Sequence, residues 1–281
     1  MSKVFVIDIA RCSGCYNCQL ACKDEHCGND WRPYAAPQPL TGQFWMKVHD
    51  HVRGTIPKVR VHYIPQLCNH CADAPCMAAA RDGAVYRRPD GLVVIDPEKA
   101  AGQRQIAEAC PYGAVYWNEE LQLPQKCTMC AHLLDDPDYP GKEPRCVEAC
   151  PNQALVFGDL DDPDSPVSRK IAEGRVTQLS CLGEQGSSVV HLNVPTAFLA
   201  GTVFLPAEEE EVAIGAHVKA VCECGTVFET DTNWAGDWEF EDLPLNKRFT
   251  VDITMDGFRP VHYEALTDAD HYVAETYLER V

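Results

Sequence analysis

No segment of this 281-residue chain is apolar for long enough to cross a bilayer as a helix. The longest candidate, Val194 to Leu205, falls short of the roughly 20 residues that such a helix needs and is interrupted by Gly201. Positive charge is also scarce: 24 Lys and Arg stand against 42 Asp and Glu, a formal net charge of −18. That balance argues against nucleic acid, whose binding is dominated by basic contacts to phosphate. The start, Met-Ser-Lys-Val-Phe-Val-Ile-Asp-Ile, carries neither a twin-arginine signal nor a cleavable leader and reads as a strand. The expectation is therefore cytoplasmic synthesis, with export open to the chain only alongside a signal-bearing partner. No nucleophile–base pair or substrate-pocket motif is present, so no catalytic site of its own is expected.

Cysteine is abundant. Of sixteen cysteines, twelve fall into four groups: Cys12-x2-Cys15-x2-Cys18-x3-Cys22, Cys68-x2-Cys71-x4-Cys76, the lone Cys110-Pro111, and Cys127-x2-Cys130 with Cys146-x3-Cys150-Pro151. Thiolates at these spacings bind [4Fe–4S] clusters, and the fourth cysteine of a run ligates the neighbouring cluster. Pairing the first run with the last group gives one set of Cys12, Cys15, Cys18 and Cys150, and a second of Cys127, Cys130, Cys146 and Cys22. The middle groups give a third set of Cys68, Cys71, Cys76 and Cys110. A fourth site would need cysteines near Ala100, Gln103 and Ile106 and one at Ala80, and none is there. Loss of the whole set points to removal of one cluster rather than damage to it.

An internal repeat supports this register. Cys110-Pro-Tyr-Gly-Ala-Val-Tyr and Cys150-Pro-Asn-Gln-Ala-Leu-Val are two copies of a ferredoxin-type turn that leads into a strand, and Ala80-Arg-Asp-Gly-Ala-Val-Tyr is a third without the ligand. Cys22 departs from the pattern, being followed by Lys23 rather than proline. A zinc ribbon would share the spacing of Cys127, Cys130, Cys146 and Cys150. The run at Cys12 is unlike zinc, which takes its four ligands in two pairs. Cys27, Cys181, Cys222 and Cys224 are left over and read as small buried hydrophobes with free thiols. Lys126, beside Cys127, and His70, between Cys68 and Cys71, are either raisers of local cluster potential or ordinary surface residues.

The chain divides into residues 1–160 with every assigned ligand, an acidic linker over 161–193, and residues 194–281. Short strands are expected at Val4–Ile9, Lys58–Tyr63, Val93–Ile95 and Ala114–Trp117. The long insertion between Asp24 and Gln66 holds Trp31, Trp45, His49 and His51, which serve either surface packing or a subunit interface. Ser168 to Gly183 reads as a helix and a connection. Beyond Val194, seven strands at roughly 8–12-residue spacing indicate a β-sandwich. The fold class is thus α+β: a double-ferredoxin-like iron–sulfur domain followed by a small all-β sandwich. The order of its strand motifs resembles the transthyretin-like, carboxypeptidase-regulatory type.

Residues 1–160 resemble the iron–sulfur subunits that accompany molybdopterin enzymes of the dimethyl sulfoxide reductase superfamily. The resemblance is carried by the cysteine groups and by Asp96-Pro-Glu-Lys-Ala, Cys110-Pro-Tyr-Gly, Tyr116-Trp-Asn-Glu-Glu and Gln125-Lys-Cys-Thr-Met-Cys-Ala-His-Leu-Leu-Asp-Asp. Three clusters joined to a C-terminal sandwich is similar to the branch that serves pyrogallol–phloroglucinol transhydroxylases, resorcinol hydroxylases and catechol dehydroxylases. The resemblance implies three [4Fe–4S] clusters in this chain and a Mo or W bis-pterin cofactor in a large catalytic partner, in a heterodimer or a multiple of one. An electron-transfer role follows. A free-standing polyferredoxin with a recognition domain, and a zinc-stabilised scaffold, are the alternatives.

Overall fold

The computed structural model describes residues 2–177 and 186–281. Cys181 and the end of the connection expected up to Gly183 lie outside the described residues. The chain forms two compact units, one of Met1–His51 with His62–Val194 and one of Val52–Val61 with Pro195–Val281. No helix among the described residues is long and apolar enough to cross a membrane.

In the first unit the strands are β1 (Lys3–Asp8), β2 (Lys47–Thr55), β3 (Lys58–Gln66), β4 (Val85–Arg87), β5 (Val93–Ile95), β6 (Val115–Asn118), β7 (Leu123–Lys126), β8 (Leu155–Asp159), β9 (Val176–Thr177) and β10 (Val189–Leu192). The tip of the β2–β3 hairpin belongs to the second unit. The helices are α1 (Asn17–His26), α2 (Pro75–Ala79), α3 (Gln105–Glu108), α4 (Ala131–Asp135), α5 (Arg145–Glu148) and α6 (Pro166–Glu173). Most are one turn long, because the chain must break its regular structure wherever a cysteine loop curls.

The internal repeat is visible as three copies of one unit: α2–turn–β4, α3–turn–β6 and α5–turn–β8. In each turn the third residue after the cysteine, or after Ala80, has a left-handed backbone: Gly83 at φ 66°, Gly113 at 60° and Gln153 at 51°. The turn therefore persists at Ala80 without a thiol, since backbone conformation alone defines it.

β1 is buried along nearly its whole length because it lies between two strands. Its sheet has the order β8-β1-β10-β9, with β8 antiparallel (Phe5 opposite Phe157) and β10 parallel (Phe5 opposite Val189). Residues in the stretch read from sequence as a linker thus supply a strand to this sheet, and α6 packs its Val167 against Val4, Val6 and Leu192. Helix α6 is set by local chemistry. Ser165 caps it by accepting the Ser168 N–H at 3.2 Å, and Pro166 fills the first turn, where no N–H is needed.

The second unit contains β11 (Ala197–Phe204), β12 (His217–Cys222), β13 (Val227–Asp231), β14 (Asp237–Leu243), β15 (Arg248–Thr254), β16 (Val261–Leu266) and β17 (His271–Tyr277). They form a three-stranded sheet, β14-β11-β17, and a four-stranded sheet, β13-β12-β15-β16. Leu199, Val203, Trp238 and Phe240 of the first share one core with Val218, Phe249, Val251 and Ile253 of the second. The alternating burial of β12 and β15 follows from a strand with one face inward. Within this unit the tip Val52–Val61 is held by Arg53, which bonds Asp270 at 2.5 and 2.6 Å and lies over the Phe198 ring. Gly54 turns the tip at φ 75°, where a Cβ would strike the Lys58 carbonyl and the Phe198 ring. Cys222 and Cys224, expected as free thiols, are instead joined in a disulfide, because the turn after β12 folds Cys224 back toward its neighbour.

Asp8, at the end of β1, is 3% exposed and bonded to Lys170 of α6 at 2.7 Å and to Asn193 at 2.9 Å. Burial alone would raise its carboxyl pKa. Lys170 and Asn193 outweigh that and hold it below the usual value. A depressed folded-state pKa gives stability that is present above the unfolded value and lost as pH falls through the folded one. Lys170→Met is expected to cost about 2 kcal/mol at pH 7. The gap between variant and parent should close below about pH 4, as followed by anaerobic urea unfolding.

Candidate functional site

The twelve grouped cysteines lie in the first unit and fall into three clusters of neighbours. Cys12, Cys15, Cys18 and Cys150 line one cavity, together with Tyr16 and Pro151. The loop that carries the first two turns at Gly14, φ 67°, where the ring of Tyr63 lies too close for any Cβ. Asn152 Nδ2 donates to Ser13 Oγ at 2.7 Å and so ties the Cys150 turn to the Cys12 loop. Burial, reinforced by Cys12 and Cys150, pushes the Cys18 thiol up to about 12. Cys15 is exposed and Cys12 and Cys150 are half-buried, so this group is open to solvent on one side.

Cys22, Cys127, Cys130 and Cys146 form a second group, all buried. Cys22 stands on α1 one turn beyond Cys18, and Cys146 on α5. Successive left-handed residues, Met129 and Cys130 at φ 50°, curl the Cys127 loop so that the Met129 N–H donates to Cys127 Sγ at 3.3 Å. Burial drives the thiols of Cys22 and Cys146 well above their ordinary value, and neighbouring cysteines of the same group add to it. Cys127 is raised to about 11 and Cys130 to about 12, with burial as the main cause.

Cys68, Cys71, Cys76 and Cys110 line a second cavity, beside His70 and Val93. Burial raises Cys71 to about 11. It raises Cys76 as well, against the opposing charge of Lys126. These groupings are the sets expected from the crossover rule. Among the described residues, no three His, Cys, Asp or Glu side chains stand close enough to grip a single ion. Zinc needs such an arrangement, with Zn–S bonds of about 2.3 Å. The first and third sets each line a cavity that an inorganic cluster would fill. Their chemistry fits too: burial opposes ionisation of these thiols, and a cationic iron–sulfide core reverses that by binding the thiolate.

The positions of the absent fourth site are filled. Ala100 and Ile106 are fully buried and pack with Ala84, Val85, Val93 and Ile95, with Ala80 against them. The Gln103 amide accepts the Arg81 N–H at 2.8 Å and donates to the carbonyls of Lys99 at 2.8 Å and Arg81 at 3.3 Å. A side-chain amide thus stitches together the two loops that metal would otherwise bridge.

Sequence reasoning passed over His26. Its Nε2 lies 3.7 Å from Cys130 Sγ and its ring packs on Trp45, 4.6 Å between centroids. Burial holds its pKa at about 3, so the imidazole is neutral. Glu25 bonds His132 at 2.9 Å and Arg145 at 2.8 Å, and His132 stacks on Trp31 at 4.2 Å. The signal available was the i, i+4 spacing of Cys22 and His26 on one helix face. Trp45 of the insertion is buried at 2% exposure, so it packs inward against this group. His51 of the same insertion stacks on His62 at 5.1 Å.

The fold and the thiol groups define a ferredoxin-type protein, and comparison with known families agrees. The 4Fe–4S dicluster domain family matches residues 59–160. Over 262 residues, 90% of each chain, the sequence is 37% identical to the small subunit of pyrogallol hydroxytransferase from Pelobacter acidigallici. It is 38% identical over 212 residues to a putative iron–sulfur subunit of dimethyl sulfoxide reductase from Halobacterium salinarum, covering 65% of this chain and 74% of that one. It is 31% identical over 244 residues to the arsenate respiratory reductase iron–sulfur subunit of a Shewanella species, covering 69% and 98%. The chain belongs to the family of iron–sulfur subunits that includes the small subunit of pyrogallol hydroxytransferase.

Ile106→Ala should destabilise the first unit by about 3 kcal/mol through the cavity it leaves. It should leave iron content unchanged, as measured by anaerobic unfolding and iron assay, because Ile106 supplies no thiol although it shares a core with Cys71 and Cys76.

Proposed function

We propose that this chain is the electron-transfer subunit of a molybdopterin oxidoreductase that acts on polyhydroxylated aromatics at a large partner subunit. The observation that carries the reading is the convergence of twelve cysteines, drawn from separated segments, into three groups of four. The identity over 90% of the small subunit of pyrogallol hydroxytransferase supports the choice of substrate class. On this reading Cys12, Cys15, Cys18 and Cys150 hold one [4Fe–4S] cluster. Cys22, Cys127, Cys130 and Cys146 hold a second, and Cys68, Cys71, Cys76 and Cys110 a third. Bound clusters of this kind supply one-electron transfer over a range of potentials that sulfur hydrogen bonds, charge and exposure set.

The residues of this chain do the tuning and the insulation. The Met129 N–H at Cys127 Sγ and the Ala154 N–H at Cys150 Sγ, each at 3.3 Å, donate to ligand sulfur. His26 offers a third contact to Cys130. Trp45, Leu67 and Phe157 share a core with Cys22, Cys127 and Cys146 and help to keep water from the second group. The Mo or W bis-pterin cofactor belongs to the partner, in a heterodimer or a multiple of it, loaded in the cytoplasm. Residues 1–160 form the cluster domain, and the transthyretin-like sandwich after Val194 serves as a structural or docking module. In hydroxyl transfer the electrons would only buffer the partner's metal. In reductive dehydroxylation two would pass per turnover.

Native, anaerobically purified protein should co-elute on size exclusion with a large chain that contains molybdenum or tungsten. It should also carry about twelve iron and about twelve acid-labile sulfide per copy of this chain. Cys110→Ala should remove about a third of the iron and leave the other two sets. A free-standing brown protein would support an independent carrier instead, and protein without labile sulfide would overturn both readings.

A further inference from the structure

Lys126 is the single Lys or Arg among the described residues that is buried, at 2% exposure. It ends β7, opposite Val115 of β6, and precedes Cys127. Its Nζ donates to the Val93 carbonyl, and to the Cys127 carbonyl at 3.0 Å. Val93 and Val115 line the cavity of the third group, while Cys127 belongs to the second. The ammonium therefore sits between the two. No carboxylate among the described residues pairs with it. Burying a charge without a partner costs several kcal/mol in a protein interior. Two carbonyl dipoles offset that only in part.

A [4Fe–4S] core held by four thiolates is a net anion, and two of them on either side of Lys126 would supply the missing counter-charge. We propose that Lys126 is the internal counter-ion of the second and third clusters, raising the reduction potentials of both while leaving the first unaffected. The proposal rests on the assignment of ligands above. Geometry supports the selectivity. Nζ bonds one carbonyl in the wall of the third set's cavity, that of Val93, and one of a second-set residue, Cys127. Neither Lys126 nor a residue that it bonds lines the cavity of the first set. Arg87 also approaches the third group, through the Cys71 carbonyl at 2.6 Å, but it is half-exposed, and solvent and salt weaken its field.

The test is a potentiometric titration of holoenzyme followed by low-temperature EPR, with signals assigned by Cys12→Ser, Cys22→Ser and Cys110→Ser, one ligand from each set. Lys126→Gln keeps a hydrogen-bond donor and removes the charge; Lys126→Arg keeps the charge. Lys126→Gln should shift the one-electron equilibria of the second and third clusters toward the oxidised state by about tenfold each, which is about 59 mV. The first cluster should not move, and Lys126→Arg should stay near the parent. Equal shifts of all three clusters, or no shift, would overturn the proposal. If Lys126→Gln loads only the first cluster while Lys126→Arg loads all three, the counter-ion role stands as a condition of assembly. If Lys126→Arg fails in the same way, lysine's shape rather than its charge is required and the proposal falls. Parent protein that lacks labile sulfide would instead overturn the ligand assignment itself.

Discussion

The first unit depends on one electrostatic constraint: thiols that must ionise are buried where ionisation is opposed. Cys22, Cys127, Cys130 and Cys146 are all buried, and burial pushes each thiol upward. Crowding of like charge within each group adds to the difficulty. Left alone, such a core would be a liability, since hydrophobic packing must coexist with polar sulfur at its centre. A bound cationic core reverses the sign of the problem and makes metal binding part of the folding free energy. The short helices and tight turns of this unit make sense in that light. Those at Cys76 and Cys146 position sulfur atoms, while α3 and α6 contribute Ile106 and Val167 to packing.

The region of Ala80, Ala100, Gln103 and Ile106 shows what a cluster-type loop pair needs when metal is not its organiser. Two things replace it: apolar contact, from Ala100 and Ile106 with Val85, Val93 and Ile95, and a directional crosslink, from the Gln103 amide to Arg81 and Lys99. Ile106 fills volume and Gln103 satisfies backbone groups that a turn leaves exposed. Gly83 keeps the left-handed residue common to all three turns, while Asp82 adds a second one that the two cysteine turns lack. Packing and crosslinking thus stand in for the thiol, and the backbone of the turn is adjusted at Asp82 alone among its left-handed positions.

Much of this was legible in the sequence. Cysteine spacing reports cluster loops directly because the loop must return each sulfur to a common point. β5 at Val93–Ile95 and the strands of the second unit also follow from short-range pattern. What was illegible is non-local or depends on burial of a charged side chain. The parallel pairing of β10 with β1 joins residues about 185 positions apart, as Phe5 with Val189 does, and no local pattern encodes it. The hairpin tip Val52–Val61 belongs with the sandwich because of Arg53, Asp270 and Phe198, a contact that sequence proximity hides. Lys126 and His70 had surface positions as an equal reading, yet both are buried, at 2% and 0% exposure. The Val93 N–H donates to His70 Nδ1 at 2.9 Å, so the β5 backbone provides the partner that permits its burial.

The order of the groups follows from which elements they share. Helix α1 carries Cys18 of the first group and Cys22 of the second one turn apart, so no segment is needed to join them. Cys18 also acts electrostatically on Cys146. Cys68 of the third group acts in turn on Cys127 of the second. The second group is therefore the middle of a line, and it is also the one that the insertion protects, through Trp45 on His26 and Trp31 on His132. Beside the third group, Ala84, Val85, Ile95, Ala100 and Ile106 pack together as an apolar cluster. On the ligand assignment proposed above, the lack of a site at that end would shorten the line without breaking it. The lack of a site in the middle would instead sever the two ends, because the second group is the one that both others adjoin.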